Sequence, residues 1–370
     1  MKFFATAAWG TEPALRDELR ELRMRAVKCD RGGVHFQGDL LHAWKACLHS
    51  RIALRVFLPL AEFEASSEQR LYDGVREINW QDHLTPKHTL AVTAFCRSSS
   101  LTHTNYVAQK TKDAIVDQQR DKHGERSSVD RRDPDVDIFV HLKKDVATVY
   151  LDLAGESLHR RGYRKQTVEA PLKESLAAAI LRLSGWDRQR PFFDPMCGSG
   201  TIAIEAALWS RGVAPGLSRD CFGFERWPGH DKTAQEKMAE LRQQARDQVS
   251  VEGPKVLAAD IDERALTAAK ANAKAARAKI DFIRKSVMKI EPLSPAGMIV
   301  TNPPFGKRLE ADKNFYDDLG AALRKLKRHR LAILLSQRRL ERALKLKVEK
   351  FQLLFNGDIQ CRLVIFEVNG

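Results

Sequence analysis

The sequence contains no CxxC pair and no long apolar run. Its six cysteines, Cys29, Cys47, Cys96, Cys197, Cys221 and Cys361, are scattered through 370 residues. That spacing excludes a zinc knuckle and a dithiol redox centre. A large chain with so few cysteines points to a reducing compartment. No apolar stretch approaches the roughly 20 residues of a membrane helix. The opening, MKFFATAAWGTEPALRDELR, meets Glu12, Arg16 and Asp17 too soon for a signal peptide. A soluble cytoplasmic chain without a membrane partner is expected. The 11 histidines are dispersed without metal-ligand spacing, so no metal is expected either.

What the sequence has is positive charge. Lys and Arg number 62 against 48 Asp and Glu, a net charge of +14. A polyanion is the natural partner, because each neutralised phosphate releases a counterion. The composition is otherwise that of a globular protein, and its length implies more than one domain.

Short strands and helices alternate irregularly in the first 155 residues. Strands are expected at 3–9, 33–37, 52–60, 89–96, 136–142 and 146–153. Helices are expected over Thr11–Leu22, Asp39–Ser50, 66–80 and Thr104–Gln119. Residues 121–135, charged and rich in turn formers, are expected to form a mobile basic loop. From residue 172 the pattern becomes βαβ. Strands are expected at 191–194, 255–260, 280–284, 297–301 and 331–335, and helices at 173–183, 200–210, 263–276 and 316–327. That alternation implies an open parallel sheet wrapped by helices, an α/β fold. Asn356-Gly357 signals a closing antiparallel hairpin. The segment 214–250, with CFGFERWPGHD and a charged helical stretch, is expected to cover the site.

Three strings carry chemistry. In FFDPMCGSGT (192–201) a strand ends at Asp194, and Gly198 and Gly200 let the backbone approach a ligand before a helix begins. The string lacks the GKS or GKT ending of a P-loop. In LAADID (257–262), Asp260 closes the next strand and can accept from two ribose hydroxyls, while Asp262 is placed to cap the following helix. In IVTNPPFGKR (299–308), Pro303 and Pro304 fix the backbone and remove two donors. Asn302 adds a side-chain acceptor, and Phe305 a flat face for a base. Two acceptors gripping the hydrogens of an exocyclic amine would draw its nitrogen toward tetrahedral geometry and aim its lone pair at an electrophile.

DPMCGSGT, the acidic strand end and TNPPFG together resemble the class I S-adenosylmethionine-dependent amine methyltransferases. LHRRGYR (158–164) and APLKESLAAAIL (170–181) make the chain similar to the THUMP-containing guanine-N2 methyltransferases of ribosomal RNA or tRNA, and especially to the bacterial enzymes for large-subunit (23S) ribosomal RNA. The resemblance spans nearly the whole chain. It implies a Rossmann-like methyltransferase sheet over 171–370, reached by a linker at 156–170. An α+β ferredoxin-like domain at 1–60 and an RNA-binding THUMP domain at 61–155 would precede it. Some members carry a second methyltransferase domain after the first. This sequence ends before one, so no second activity is expected.

The resemblance also implies roles. Asp194, Met196, Cys197, Gly198, Gly200 and Thr201 would hold the methionine end of S-adenosylmethionine, with Pro171, Leu172 and Lys173 closing over it. Asp260 would bind the ribose, and Ile261 and Val287 would sandwich the adenine. Asn302, Pro303, Pro304 and Phe305 would hold the target base. RNA contacts are expected from Lys122, Arg126, Arg131 and Arg132 and, at the domain junction, from Arg160, Arg161, Arg164 and Lys165. One departure concerns the adenine: Ser286 stands where the family has an aspartate that accepts from the adenine amine. A neutral hydroxyl is the weaker acceptor. Other substrates compatible with these strings are guanine in tRNA and an adenine amine. An inactive RNA-binding assembly factor would also carry this fold, but the intact Asp194–Thr201 string and Asn302 argue against it.

Overall fold

The computed structural model describes residues 1–166, 172–304, 315–336 and 338–368. In the N-terminal half β1 (Lys2–Thr6), α1 (Glu12–Glu21), β2 (Arg25–Asp30), β3 (Gly33–Gln37) and α2 (Leu40–His49) are followed by the long β4 (Arg55–Glu64). Then come α3 (Glu68–Arg76), β5 (Leu90–Arg97), α4 (Thr104–His123), β6 (Val136–Lys143) and β7 (Val146–Asp152). The seven strands form one sheet in the order β2-β3-β1-β4-β7-β6-β5. β4 pairs with β1 through Arg55–Phe57 and with β7 from Phe57 to Glu64. The expected border at 60/61 thus falls inside a strand, and one apolar core runs beneath both halves of the sheet, from Phe3 and Phe36 to Ile138 and Val149.

Two expectations need correction. β2 (RAVKCD) was not anticipated, because an exposed edge strand lacks the apolar alternation that marks a half-buried one. The segment 121–135 is only in part a loop. α4 continues to His123 before Gly124 ends it at φ +71°, so Lys122 lies in a helix. Beyond it, Ser127 is buried on Gln119 and Thr85, and Val129 bridges to Leu90.

In the C-terminal half the elements are α5 (Glu174–Leu183), β8 (Phe192–Asp194), α6 (Thr201–Ser210), α7 (Lys232–Asp247), β9 (Val256–Asp260), α8 (Glu263–Ala275), β10 (Asp281–Arg284), β11 (Met298–Thr301), α9 (Phe315–Leu323), β12 (Arg330–Leu335), α10 (Arg338–Ala343), β13 (Val348–Asn356) and β14 (Ile359–Glu367). The sheet order is β10-β9-β8-β11-β12-β14-β13. The first five strands are parallel and the final hairpin antiparallel, as expected. The hairpin's two-residue loop is Gly357-Asp358, and Gly357 carries its positive φ of 62°. The chain runs from β8 outward to β10 and returns to β11 on the other side of β8. The crevice between the ends of β8 and β11 is therefore the switch point where such sheets bind ligands.

The insertion after α6 does not cover that crevice. It clamps the two halves of the molecule. Phe224 stacks on Trp44 of α2 with centroids 5.1 Å apart and planes 8° apart, and Phe222 stacks on Phe224. Arg226 pairs with Asp133 at 2.6 Å. The apolar residues of CFGF, with Met238 and Leu241, join the N-terminal core. Trp44→Ala should cost about 3–5 kcal/mol, the usual range for emptying an aromatic from a core. Urea denaturation followed by tryptophan fluorescence measures it. A loss below 1 kcal/mol would show that the clamp carries little.

Candidate active site

The crevice is built from strand ends. β8 delivers Asp194, which is 1% exposed. Its Oδ1 accepts from the Thr301 hydroxyl at the end of β11 (2.9 Å) and from the Met196 amide (3.3 Å). Burial nonetheless dominates and pushes the Asp194 carboxyl up to about 7. Gly198 and Gly200 take φ of +52° and +84°, left-handed values that favour glycine. A side chain at Gly198 would enter open space, whereas one at Gly200 would press on Ala269 at 3.1 Å. Space for a ligand therefore lies over Gly198, and Gly200 serves the seating of α6 against α8. The Cys197 thiol is raised by desolvation and stays protonated.

Asp260, closing β9, accepts from the Gly198 amide at 2.9 Å and the Asp262 amide at 3.0 Å. An ionised carboxylate has about four lone-pair positions. These two bonds fix its orientation and leave acceptor capacity for a diol. Asp262 caps α8 through the Arg264 amide, as expected. Ile261 is 66% exposed and offers an apolar surface beside the polar Asp260. Val287 is instead committed to the core with Leu257 and Ile299, leaving Ile261 as the exposed wall. Ser286 is half-buried and accepts from the Met288 amide at 3.3 Å, capping a single 3-10 turn.

At the end of β11 stands Asn302. Its Oδ1 is buried and has no hydrogen-bond partner among the described residues. A buried amide oxygen without a donor costs on the order of 1–3 kcal/mol unless a ligand supplies one. Pro303 is buried and Pro304 half-buried; the Pro304 carbonyl receives the Tyr316 hydroxyl at 3.4 Å, with a second lone pair remaining. Phe305 and Pro171 lie outside the described residues. Leu172 is buried and Lys173 exposed at the start of α5.

The junction residues divide. Arg160 and Lys165 are exposed, as are Lys122, Arg126, Arg131 and Arg132. Arg161 and Arg164 do not face outward as expected. Arg161 is 5% exposed, bonded to the Leu158 and Arg51 carbonyls and 3.8 Å from Glu205. Arg164 donates to Glu174 Oε1 (2.9 Å), the Leu172 carbonyl (2.8 Å) and Thr201 Oγ1 (3.4 Å). A guanidinium so engaged cannot reach a phosphate backbone. The stretch 158–166 is thus an inlaid strap rather than a free linker, with Tyr163 buried on Glu205 at 3.0 Å. Asn272 of α8 was not singled out in the sequence. It accepts from the Lys165 and Gln166 amides (2.8 and 3.1 Å) and donates to the Gln166 and Ser199 carbonyls (3.0 and 3.1 Å). It thereby ties the strap to the glycine-rich turn. A lone helical Asn gives no sequence signal for that.

Among the described residues no helix is long and apolar enough to cross a membrane, and no group of side chains could hold a metal ion.

Comparison with known proteins agrees with this architecture. Residues 2–57 match the RlmL ferredoxin-like domain and 65–152 the THUMP domain. Residues 161–365 match the RMKL-like methyltransferase domain. Ribosomal RNA large subunit methyltransferase K/L of Syntrophotalea carbinolica is 41% identical over 382 residues, covering 100% of this chain and 54% of that protein. The protein of the same name from Methylococcus capsulatus is 40% identical over 376 residues, covering 99% and 51%. The chain spans about half the length of these curated relatives. The crystal structure of SMU.472 complexed with SAH superposes with a TM-score of 0.90 at 32% identity, covering 100% of this chain and 98% of that one. With a methyltransferase-domain match over more than half its length and both preceding domains in order, the chain belongs to the RMKL-like methyltransferase family.

Proposed function

We propose that this chain methylates the N2 amine of a guanine in large-subunit (23S) ribosomal RNA, with S-adenosylmethionine as donor. The observation that carries the chemistry is the orphaned Asn302 Oδ1 at the switch point. It is an acceptor waiting for an N–H, and an exocyclic amine provides one. The choice of RNA rests on the THUMP match, and the choice of ribosomal RNA on the relatives named above.

The residues fit the donor. Asp260 would take the ribose hydroxyls, Ile261 the adenine face, and Asp194 the methionine ammonium near the glycine-rich turn. When bound, the donor supplies an activated methyl group. The protein's task is orientation, so most of the acceleration comes from positioning. Asn302 and the Pro303-Pro304 backbone grip the amine, Phe305 provides the stacking face, and no strong general base is required. Lys122, Arg126, Arg131, Arg132, Arg160 and Lys165 are the exposed cations that would meet phosphates.

Mass spectrometry of RNA from cells with and without the gene tests this reading. Loss of a single N2-methylguanosine, mapped to large-subunit ribosomal RNA, is expected. An unchanged profile overturns it.

Two further results are expected. The first concerns pH. Asp194 must be ionised to pair with an ammonium, and burial sets its carboxyl at about 7. The affinity for S-adenosylhomocysteine should be flat above pH 7 and weaken by up to about tenfold per unit below it. Calorimetry between pH 5.5 and 8.5 measures this, and a flat profile would separate Asp194 from the ammonium. The second concerns Ser286. Asp can cap the same turn and is the stronger acceptor. Ser286→Asp should therefore tighten S-adenosylhomocysteine binding by about 3–10-fold with no change in melting temperature, as expected for exchanging a neutral for a charged acceptor. Unchanged affinity would mean that the adenine amine is met elsewhere.

A further inference from the structure

Arg164 makes three hydrogen bonds but leaves part of its guanidinium unused. Nε grips Glu174, and Nη2 grips the Leu172 carbonyl and the Thr201 hydroxyl. Nη1 is buried and has no partner among the described residues. Guanidinium donors are seldom left in that state, because removing them from water without an acceptor costs more than a neutral group would. An acceptor is missing from this place.

A second feature makes the same place favourable for an anion. Thr201 is the first residue of α6, whose ten residues begin directly after the glycine-rich turn. The residue before it is Gly200, which has no side chain to cap the helix. The amides of the first turn therefore lack the acceptor that a Ser, Asp or Asn would give. Thr201, Ile202 and Ala203 are all buried, so bulk water does not serve them freely. The positive end of a helix thus meets, through the Nη2 bond to Thr201, a guanidinium whose Nη1 is unsatisfied.

We infer that Arg164 is a cofactor-binding residue whose Nη1 donates to the α-carboxylate of the methionine moiety, beside the uncapped start of α6. This rests on the S-adenosylmethionine reading above and sharpens it. The carboxylate is the anionic group of that ligand, and Asp194 on the other side of the turn takes the ammonium. The Glu174 carboxylate holds the guanidinium plane, and the bond to Leu172 couples the strap to the segment leading into α5.

The alternative is that Arg164 only braces the strap. Calorimetry with two ligands separates the two roles. S-adenosylhomocysteine carries both the ammonium and the carboxylate. Its decarboxylated analogue keeps the ammonium and lacks only the carboxylate. Wild-type protein should prefer S-adenosylhomocysteine by about 10–100-fold, the range of a charge-assisted hydrogen bond. The double variant Arg164→Gln, Glu174→Gln keeps a neutral brace and should shrink that preference to less than about threefold, the loss falling on S-adenosylhomocysteine while the analogue binds nearly as before. An undiminished preference overturns the inference, as does an equal loss for both ligands, which is the mark of a brace. If the double variant does not fold, Arg164→Lys is judged by the same ratio, since a compact ammonium lacks the Nη1 arm that would reach a carboxylate while Nε and Nη2 hold Glu174 and Leu172. If wild-type protein binds neither ligand, the S-adenosylmethionine reading itself falls and takes this inference with it.

Discussion

Asn302→Ala should lower the rate of methyl transfer by about 100–1000-fold, the cost of deleting one preorganised polar contact to a reacting group. The dissociation constant for S-adenosylhomocysteine should stay within about threefold of wild type, because losing a side chain that contacts only the amine does not touch cofactor binding. The reason lies in the geometry. Asn302 follows Thr301, whose hydroxyl is spent on Asp194, and its own Oδ1 is unspent. The neighbours are thus divided, one bonded to Asp194 and the other left with a free acceptor for the proposed base. Single-turnover kinetics on an RNA fragment, together with calorimetry, distinguishes the two. Parallel losses of rate and cofactor affinity would show that Asn302 belongs to the loop.

The second large effect has the opposite signature. Asp260→Ala should weaken S-adenosylhomocysteine by about 100-fold or more, since two hydroxyls lose a charged acceptor and each such bond contributes roughly 1.5–3 kcal/mol. Part of the loss is indirect. Asp260 also receives the Gly198 amide, and without it the glycine-rich turn loses a fixed point. At saturating cofactor the transfer rate should recover to within about tenfold of wild type, as for a residue that acts mainly in binding. A rate that stays depressed at saturation would place Asp260 in the chemical step.

Three candidate residues were legible in the sequence for the same reason. Asp194 and Asp260 each close a strand and Asn302 directly follows one, and each strand is a short apolar run that names its own end. Parallel strands bring such ends together, so a linear reading can group residues far apart in the chain. The residues that were missed work across long separations with no local mark. Thr301 reaches Asp194 across 107 positions, Asn272 holds residues 165 and 166, and Arg164 looks like one more cation in a basic stretch. Composition suggested an RNA contact for Arg161 and Arg164. What composition could not show is that Glu205 and Glu174 were waiting for them. The insertion was misplaced for a related reason. Its aromatic residues announce a core without saying which, and the partner Trp44 lies in the other half of the chain. β2 was missed because its sequence alternates nothing.

The strand β4 bears on how such a protein can be rearranged. It satisfies β1 along its first residues and β7 along most of its length, so the ferredoxin-like and THUMP units share backbone hydrogen bonds rather than only a linker. A crossover at their nominal border, by recombination or by an engineer's fusion, would hand each descendant half a strand and two unpaired sheet edges. These two units can be inherited or transplanted only together, and a seam after β7 would still strip their core of Phe222 and Phe224 from the insertion.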